Sequence, residues 1–377
     1  MTKIDVFPQI HRSHKFSACR SRKRDPCFTS LLRIMPLATS QLEQKDIRPG
    51  AGWSRTAGDV ATGRDAAPDA GTLSPWHEGE LALQRHAGVA GKMDAVGRRA
   101  IRDHLIEQHR LFYPQLPFIV LGSVDRAGDA WATVRAGWPG FLSASDASQL
   151  DVALPRDPID PADAGMEDGH GIALLGIELQ TRRRNRLNGL VHRTTSQGFG
   201  VAVEQSFGNC PRYIRPREFS FVGDPALASP ADRVAFPRLA GRAAEMVRSA
   251  DTLFVASYVT DDDGRDRPDV SHRGGERGFV RIDADGGLTI PDYAGNRFFN
   301  TLGNIIANPR AGLVFIDFET GDLLQMTGDA TVVLDAHETA NLPGAERLWR
   351  FQPHRILYRA HALPLRWINL TNSKENT

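Results

Sequence analysis

The sequence predicts a mainly β chain with flanking helices, an α+β fold built as two tandem β-barrels. Three observations predict it. Two stretches align without gaps at an offset of 139 residues: GIELQTRRRNRLNG (176–189) lies over FIDFETGDLLQMTG (315–328), with Ile177 over Ile316, Thr181 over Thr320 and Gly189 over Gly328. Each copy begins with residues that recur at helical spacing, Ala100, Ile101, His104, Leu105, Gln108 and Leu111 in the first, Leu239, Ala243, Met246 and Val247 in the second. The strands that follow are short, β-branched and aromatic, and are separated by Asp and Gly turns at 125–128, 261–264 and 283–287. Many short antiparallel strands with few helices describe small barrels rather than a doubly wound sheet.

In chain order, the 377 residues divide into a tail (1–75), a first barrel domain (76–228) and a second (229–377), against a prior of roughly 150 residues per domain. The tail opens with eight Lys or Arg against Asp5 and Asp25 before residue 34, and continues through a Gly-, Ala-, Asp- and Pro-rich stretch at 48–75. Such a segment buries too little apolar surface to offset its ordering entropy, so it reads as disordered and dispensable, with Met35 as an alternative initiator. In the first copy FIVLGSVDRAGDAWATVR (118–135) parallels LFVASYVTDDDGRDRPDVSHR (253–273) of the second, and Pro139-Gly140-Phe141 parallels Arg277-Gly278-Phe279. The slip from 139 to 138 marks loops of different length. In 313–318 both alternating faces are largely apolar, which predicts a strand buried on both sides.

Composition excludes several classes. Lys plus Arg number 46 against 45 Asp plus Glu, a net charge of +1, so no global field attracts nucleic acid or an acidic membrane. Cys19, Cys27 and Cys210 fit neither a disulfide framework nor a zinc site, and such usage suits a reducing cytoplasm. The longest apolar stretch (116–124) is far short of the ~18 residues of a membrane span. No GxGxxG, GxxxxGK[ST] or GxSxG stands in its required context, and neither His77-Glu78 nor His337-Glu338 continues to a second His, so no metal site is expected. Asp261-Asp262-Asp263-Gly264 lacks the alternating ligands of a calcium loop and reads as a hairpin turn.

The dense chemistry lies in PDVSHRGGERGFV (268–280) and IPDYAGNRFFNTLGNIIANPRAGLVFIDF (290–318). Ser271, His272, Arg273, Gly274 and Gly275 end a strand with a hydroxyl, a guanidinium fork and free amides, a set suited to a phosphate monoester. Asn296 stands where a helix N-cap is expected, Asn300 and Thr301 fall in the first turns, and Asn308-Pro309 stops the helix, whose N-terminal amides favour an anion. The bland alternative is a capping Asn, an Arg273 paired with a nearby Asp, and turn glycines. Arg182, Arg183, Arg184 and Arg186 form either a solvated hairpin or a set facing an anion across the barrel interface; Cys210 in SFGNCPRYIRPREF (206–219) is either buried or a reactive thiol.

These residues resemble the flavin-binding core of the pyridoxamine 5'-phosphate oxidase-like family, the FMN-binding split barrels. The resemblance covers residues 76–367 as two copies, the second the more specific. It implies a pseudo-dimer with FMN as cofactor, a cofactor-binding set of Ser271, His272, Arg273, Gly274, Asn296, Arg297, Asn300, Thr301 and Gln325, and oxidoreductase chemistry by hydride or electron transfer. The chain has Asn300-Thr301 where the oxidase has an Arg-Lys pair, so the cofactor is carried over and the oxidase's own substrate is not; Arg273 and Arg297 are then expected to supply most of the positive charge. Residues 155–171 are too rich in Pro and Gly for the matching helix in the first copy, so one flavin site per chain is expected. Tyr293, Trp349 and Trp367 are candidates to cover the ring. Partners implied are a small-molecule substrate and an electron donor such as a nicotinamide or deazaflavin, with the chain a monomeric pseudo-dimer or a homodimer. The alternative is a non-catalytic flavin or haem carrier, with His272 or His354 as the axial ligand.

Overall fold

A computed structural model describes residues 74–227, 233–340 and 342–370; the expectations about the basic tail, Cys19 and Cys27 lie outside them. Three helices lead in: α1 (Glu78–His86), α2 (Ala90–Ala100) and α3 (Glu107–Phe112). The strands of the first half are β1 (Phe118–Val124), β2 (Ala130–Ala136), β3 (Leu142–Ser143), β4 (Gln149–Val152), β5 (Gly171–Glu178), β6 (Arg183–His192), β7 (Phe199–Gly208) and β8 (Arg217–Phe221). The second half runs β9 (Arg233–Phe236), α4 (Gly241–Ser249), β10 (Thr252–Thr260), β11 (Asp266–Gly274), β12 (Arg281–Ile282), β13 (Leu288–Tyr293), α5 (Asn300–Ala307), β14 (Arg310–Ile316), β15 (Leu323–Val333), β16 (Ala345–Arg359) and β17 (Leu365–Asn369).

The duplication is visible in the strand order. One antiparallel sheet runs β2-β1-β5-β6-β7-β4-β3, the other β11-β10-β14-β15-β16-β13-β12 with β9 beside β16. These are the same path with each strand replaced by its repeat. Even the irregularities repeat: the β6–β7 ladder slips between Asn188 and Gly189, the β15–β16 ladder between Thr327 and Gly328. A Cβ on Gly189 would lie 1.9 Å from the Ala202 carbonyl oxygen, and one on Gly328 2.0 Å from that of Gln352, so both bulges require glycine. The expected closure of two barrels is not what the ladders form: each sheet is an open hydrogen-bonded path, β2 and β3 ending one, β11 and β12 the other.

Alternation assigns each central strand to two cores. In β1, Ile119 and Leu121 enter the first half's own core while Phe118 and Val120 enter a core shared with the second half. In β10, Leu253 and Val255 face the second half's core, Phe254 and Ala256 the shared one. β5 and β14 divide in the same way, Val314 and Ile316 facing the seam, as the two-sided apolar pattern of 313–318 predicted. β8 of the first half pairs with β17 of the second, and α1 packs on α5 so closely that Gly79 faces the Gly303 carbonyl.

The expected helix over Ala100–Leu111 is broken. α2 stops at Ala100, and α3 begins only at Glu107, because Arg102 exchanges backbone hydrogen bonds with Ser206 of β7 (3.1 and 2.7 Å), a bridge that draws Arg102 out of a helical path. The turns at Gly128, Gly264 and Gly286 all adopt positive φ, and Asp261 Oδ1 accepts from the Asp263 and Arg265 amides as a turn residue does. Among the described residues no helix is long and apolar enough to cross a membrane, and no cluster of three His, Cys, Asp or Glu is arranged for a metal.

Two outcomes are expected. Gly189→Ala or Gly328→Ala places a methyl against a backbone carbonyl and lowers stability by about 1–3 kcal/mol or more, read by denaturant unfolding. Residues 74–227 expressed alone expose the Phe118, Val120, Ala173 and Leu175 face and self-associate or aggregate, read by sedimentation; a stable monomer contradicts the shared core.

Candidate functional site

The shared seam opens into a cavity of about 100 Å3 lined by β6, the loop 209–213, β11, β13 and the start of α5. Of the expected set, Ser271, His272, Arg273, Gly274, Asn296, Arg297, Asn300 and Thr301 all line it. Gln325 does not. It lies fully buried, donating to the Ala132 carbonyl (3.1 Å) and Asp160 (3.0 Å), because β15 turns that position toward the first half. The residue that occupies the matching place at the cavity is Arg186, 139 positions earlier.

Six arginines line the cavity: Arg184, Arg186, Arg212, Arg273, Arg297 and Arg347. Three carboxylates hold four of them. Asp292 accepts from Arg273 Nη1 (2.5 Å) and Arg347 Nε (3.0 Å), Glu346 from Arg297 (2.6 Å) and Arg347 (2.6 Å), and Asp269 from Arg186 (2.8 Å). Arg273 and Arg297 are therefore neutralised locally, which corrects the expectation that they supply most of the charge. Arg184 and Arg212 form no ion pair among the described residues; of the Arg182–Arg186 cluster, Arg184 and Arg186 line the cavity, while Arg182 and Arg183 are exposed.

Burial, then repulsion from Arg186, lowers the Arg184 guanidinium to about 10, so it remains a cation at neutral pH. Its Nη1 lies 3.1 Å from His272 Nδ1. Arginine only donates, so Nδ1 accepts and the ring proton sits on Nε2. Burial, with Arg184, Arg273 and Arg217 nearby, pushes the imidazole well below its ordinary range and keeps it neutral. Five buried nitrogens on these walls have no partner: Nε of Arg184, Arg186 and Arg273, Nε2 of His272 and Nδ2 of Asn209. All are donors.

Behind the cavity a polar network fixes the floor. Arg186 donates to Asn300 Oδ1 (2.9 Å) and Ser271 Oγ (2.7 Å), Thr301 Oγ1 donates to Ser271 Oγ (2.7 Å), and Ser271 donates to Asp269 (3.2 Å). Asn296 is not the helix N-cap. It lies three residues before it and accepts from the Phe298 amide (3.1 Å), while Phe299 takes the cap position at φ 63° after Arg297 at φ 66°. At the mouth exposed Tyr213 stacks on Tyr293 at 5.3 Å. Trp349 and Trp367 are elsewhere, in the second half's core and the shared core, and His354 sits between Arg310 and Asp329, outside the cavity. Arg212, Arg347 and Asn209 were missed in the sequence; only the unexplained NCPRY run pointed to two of them.

The equivalent place in the first half is filled by the chain itself. A 3-10 turn at Pro161–Gly165 brings Asp160 against Thr133 (2.5 Å), Gln325 and Arg359 (3.2 Å), the repeats of Ser271 and Arg186 being Thr133 and Gln325. Proline and glycine in 155–171 prevent a helix there, and a carboxylate of the chain takes the polar pocket.

Glu80 of α1, 4% exposed, accepts from Asn300 Nδ2 (2.5 Å) and the His77 amide (3.1 Å). Burial pushes its carboxyl up to about 8. Its folded value exceeds its ordinary 4.5, so its contribution to stability is fully present below about pH 4.5 and is lost as pH rises through 8. Glu80→Gln, which keeps the capping box, is expected to abolish that decline and to raise the melting temperature more at pH 8 than at pH 4.5.

Residues 239–361 match the profile of the family described as pyridoxamine 5'-phosphate oxidase. No curated protein sequence matches the chain. Solved structures similar to it include HupZ from Group A Streptococcus (16% identity, 30% of this chain and 90% of that one, TM-score 0.23), a putative pyridoxamine 5'-phosphate oxidase from Listeria innocua (14%, 31% and 93%, 0.23) and HutZ, the heme storage protein of Vibrio cholerae (20%, 33% and 95%, 0.23).

Proposed function

With residues 239–361 belonging to the pyridoxamine 5'-phosphate oxidase-like split-barrel family, we propose that the arginine cavity holds the phosphate of FMN and that the chain is a flavin-dependent oxidoreductase acting on an unidentified small substrate. The five partnerless N–H donors carry this reading, since a wall made of donors suits a ligand that only accepts, and a phosphate monoester is such a ligand. Arg184 and Arg212 supply the cations without a carboxylate partner. Arg273, Arg297 and Arg347 are held in fixed directions by Asp292 and Glu346, so they present preorganised N–H groups rather than free charge. The first turn of α5 adds its amides.

A volume of about 100 Å3 is small beside the roughly 300–1,000 Å3 of whole-ligand pockets, so the enclosed part suits the phosphate end and a ring system would extend to the mouth at Tyr213 and Tyr293. Bound FMN supplies hydride and single-electron chemistry. The chain's part is to grip the anion and to set a positive potential beside it; from the seam Arg184 does both, and the neutral His272 offers an N–H.

A non-catalytic carrier would use the same walls. For haem the axial ligand would be His272, whose Nε2 has no protein partner; ligation there requires the ring proton to move to Nδ1 and the Arg184 contact to break. The absorption spectrum of the purified protein separates the two, a flavin band against a Soret band.

Apoprotein titrated with FMN and riboflavin tests the grip. Arg184→Met and Arg273→Ala are each expected to weaken FMN about tenfold to a hundredfold, the loss of a charge-assisted contact of roughly 1.5–3 kcal/mol, while riboflavin binds parent and variants equally weakly. FMN held by Arg184→Met as tightly as by the parent overturns the assignment.

A further inference from the structure

Behind the arginine cavity lies a second one of about 250 Å3, lined among others by Trp76, His77, Glu80, Asp269 and Asn304, and Asn300 faces both. A continuous hydrogen-bonded chain crosses the partition. His77 meets Asn304 Oδ1 through Nε2 (2.9 Å) and donates its amide to Glu80; Glu80 accepts from Asn300; Asn300 accepts from Arg186; Arg186 lines the first cavity.

Two buried carboxyl groups, Glu80 and Asp269, compete for one guanidinium. Asp269 makes the direct ion pair with Arg186, and Glu80 reaches it only through the neutral Asn300. Resting on the reading of the first cavity as an anion site, we infer that Glu80 is a positioning residue whose proton balances the charge of a bound anion, acting through Asn300 and Arg186. A protonated Glu80 leaves the field of Arg186 to the anion. An ionised one adds a negative charge behind the same guanidinium, so the anion and the Glu80 carboxylate disfavour each other, and binding takes up a proton. The second cavity gives that proton a route to water.

The groups acting on Glu80 are His77 at the N-cap of α1, Asp269 of β11, Arg186 of β6 and the neutral Asn300 of α5. Glu204 of β7, Asp261 and Arg265 of the turn before β11, and Asp266 and Arg267 of β11 line the same second cavity. Burial lowers the His77 imidazole below its ordinary value, so it stays neutral at and above pH 7. The carboxyl raised to about 8 changes charge across the window from pH 7 to 9.

Sulfate is the probe, because it does not titrate in that window. Calorimetric titration of the full chain is expected to show sulfate affinity falling about three- to tenfold from pH 7 to 9, with proton uptake at pH 8 when two buffers of different ionisation heat are compared. Glu80→Gln keeps the capping box and is expected to lose both the slope and the uptake. Cys210→Ser, which removes the cavity's thiol, is expected to keep both. A slope that survives in Glu80→Gln, a slope that disappears in Cys210→Ser, or binding without proton uptake overturns the inference while leaving the anion site standing. Sulfate that binds at no pH overturns the anion site and this inference with it.

Discussion

Four strands, β1, β5, β10 and β14, are buried on both faces, and everything else in the described residues is arranged around that constraint. A strand with one apolar face can sit at the surface of a barrel. A strand with two must find a second apolar layer, and here each half supplies that layer for the other. The duplication is thus a way of satisfying strands that neither half satisfies alone.

The same constraint makes the site. Where the two halves meet, β6 of the first brings Arg184 and Arg186 against β11 of the second, and an element from each half is needed to line the cavity. Burying so many guanidinium groups costs desolvation, offset for four of them by Asp269, Asp292 and Glu346. The remainder is an excess of cation and of N–H donors. It is a standing electrostatic demand for an anion, built into the seam rather than into either half.

Pseudo-symmetry would give two such demands, and the first-half copy meets its own. Asp160 enters as a carboxylate among Thr133, Gln325 and Arg359, and Arg135, the repeat of Arg273, donates to the Pro155 carbonyl. The cavity at Ser271 has instead a helix start and an open mouth. The difference comes from one connecting segment: residues 155–171 cannot form the helix that 300–307 forms, so the chain folds into the pocket instead of flanking it.

The sequence by itself determined the repeat with its matched Gly189 and Gly328 and the two-faced strands, and it singled out nine residues of which eight line one cavity, because these are written in local spacing and in residue types with few alternative uses. It misplaced Gln325 and the cap at Asn296, for two reasons of tertiary origin. Which face of β15 meets which half is decided by the pairing of the halves, and Phe299 takes the cap position only because the backbone turns through positive φ at Arg297 and again at Phe299. It gave no weight to Glu80 or Arg347. Their place depends on contacts across 220 residues to Asn300 and 55 to Asp292, and separations of that length leave no mark in a single sequence. Charge was the last thing only the tertiary structure decided: Arg273 is a cation in any conformation, but whether it is free or held by Asp292 depends on two strands laid side by side.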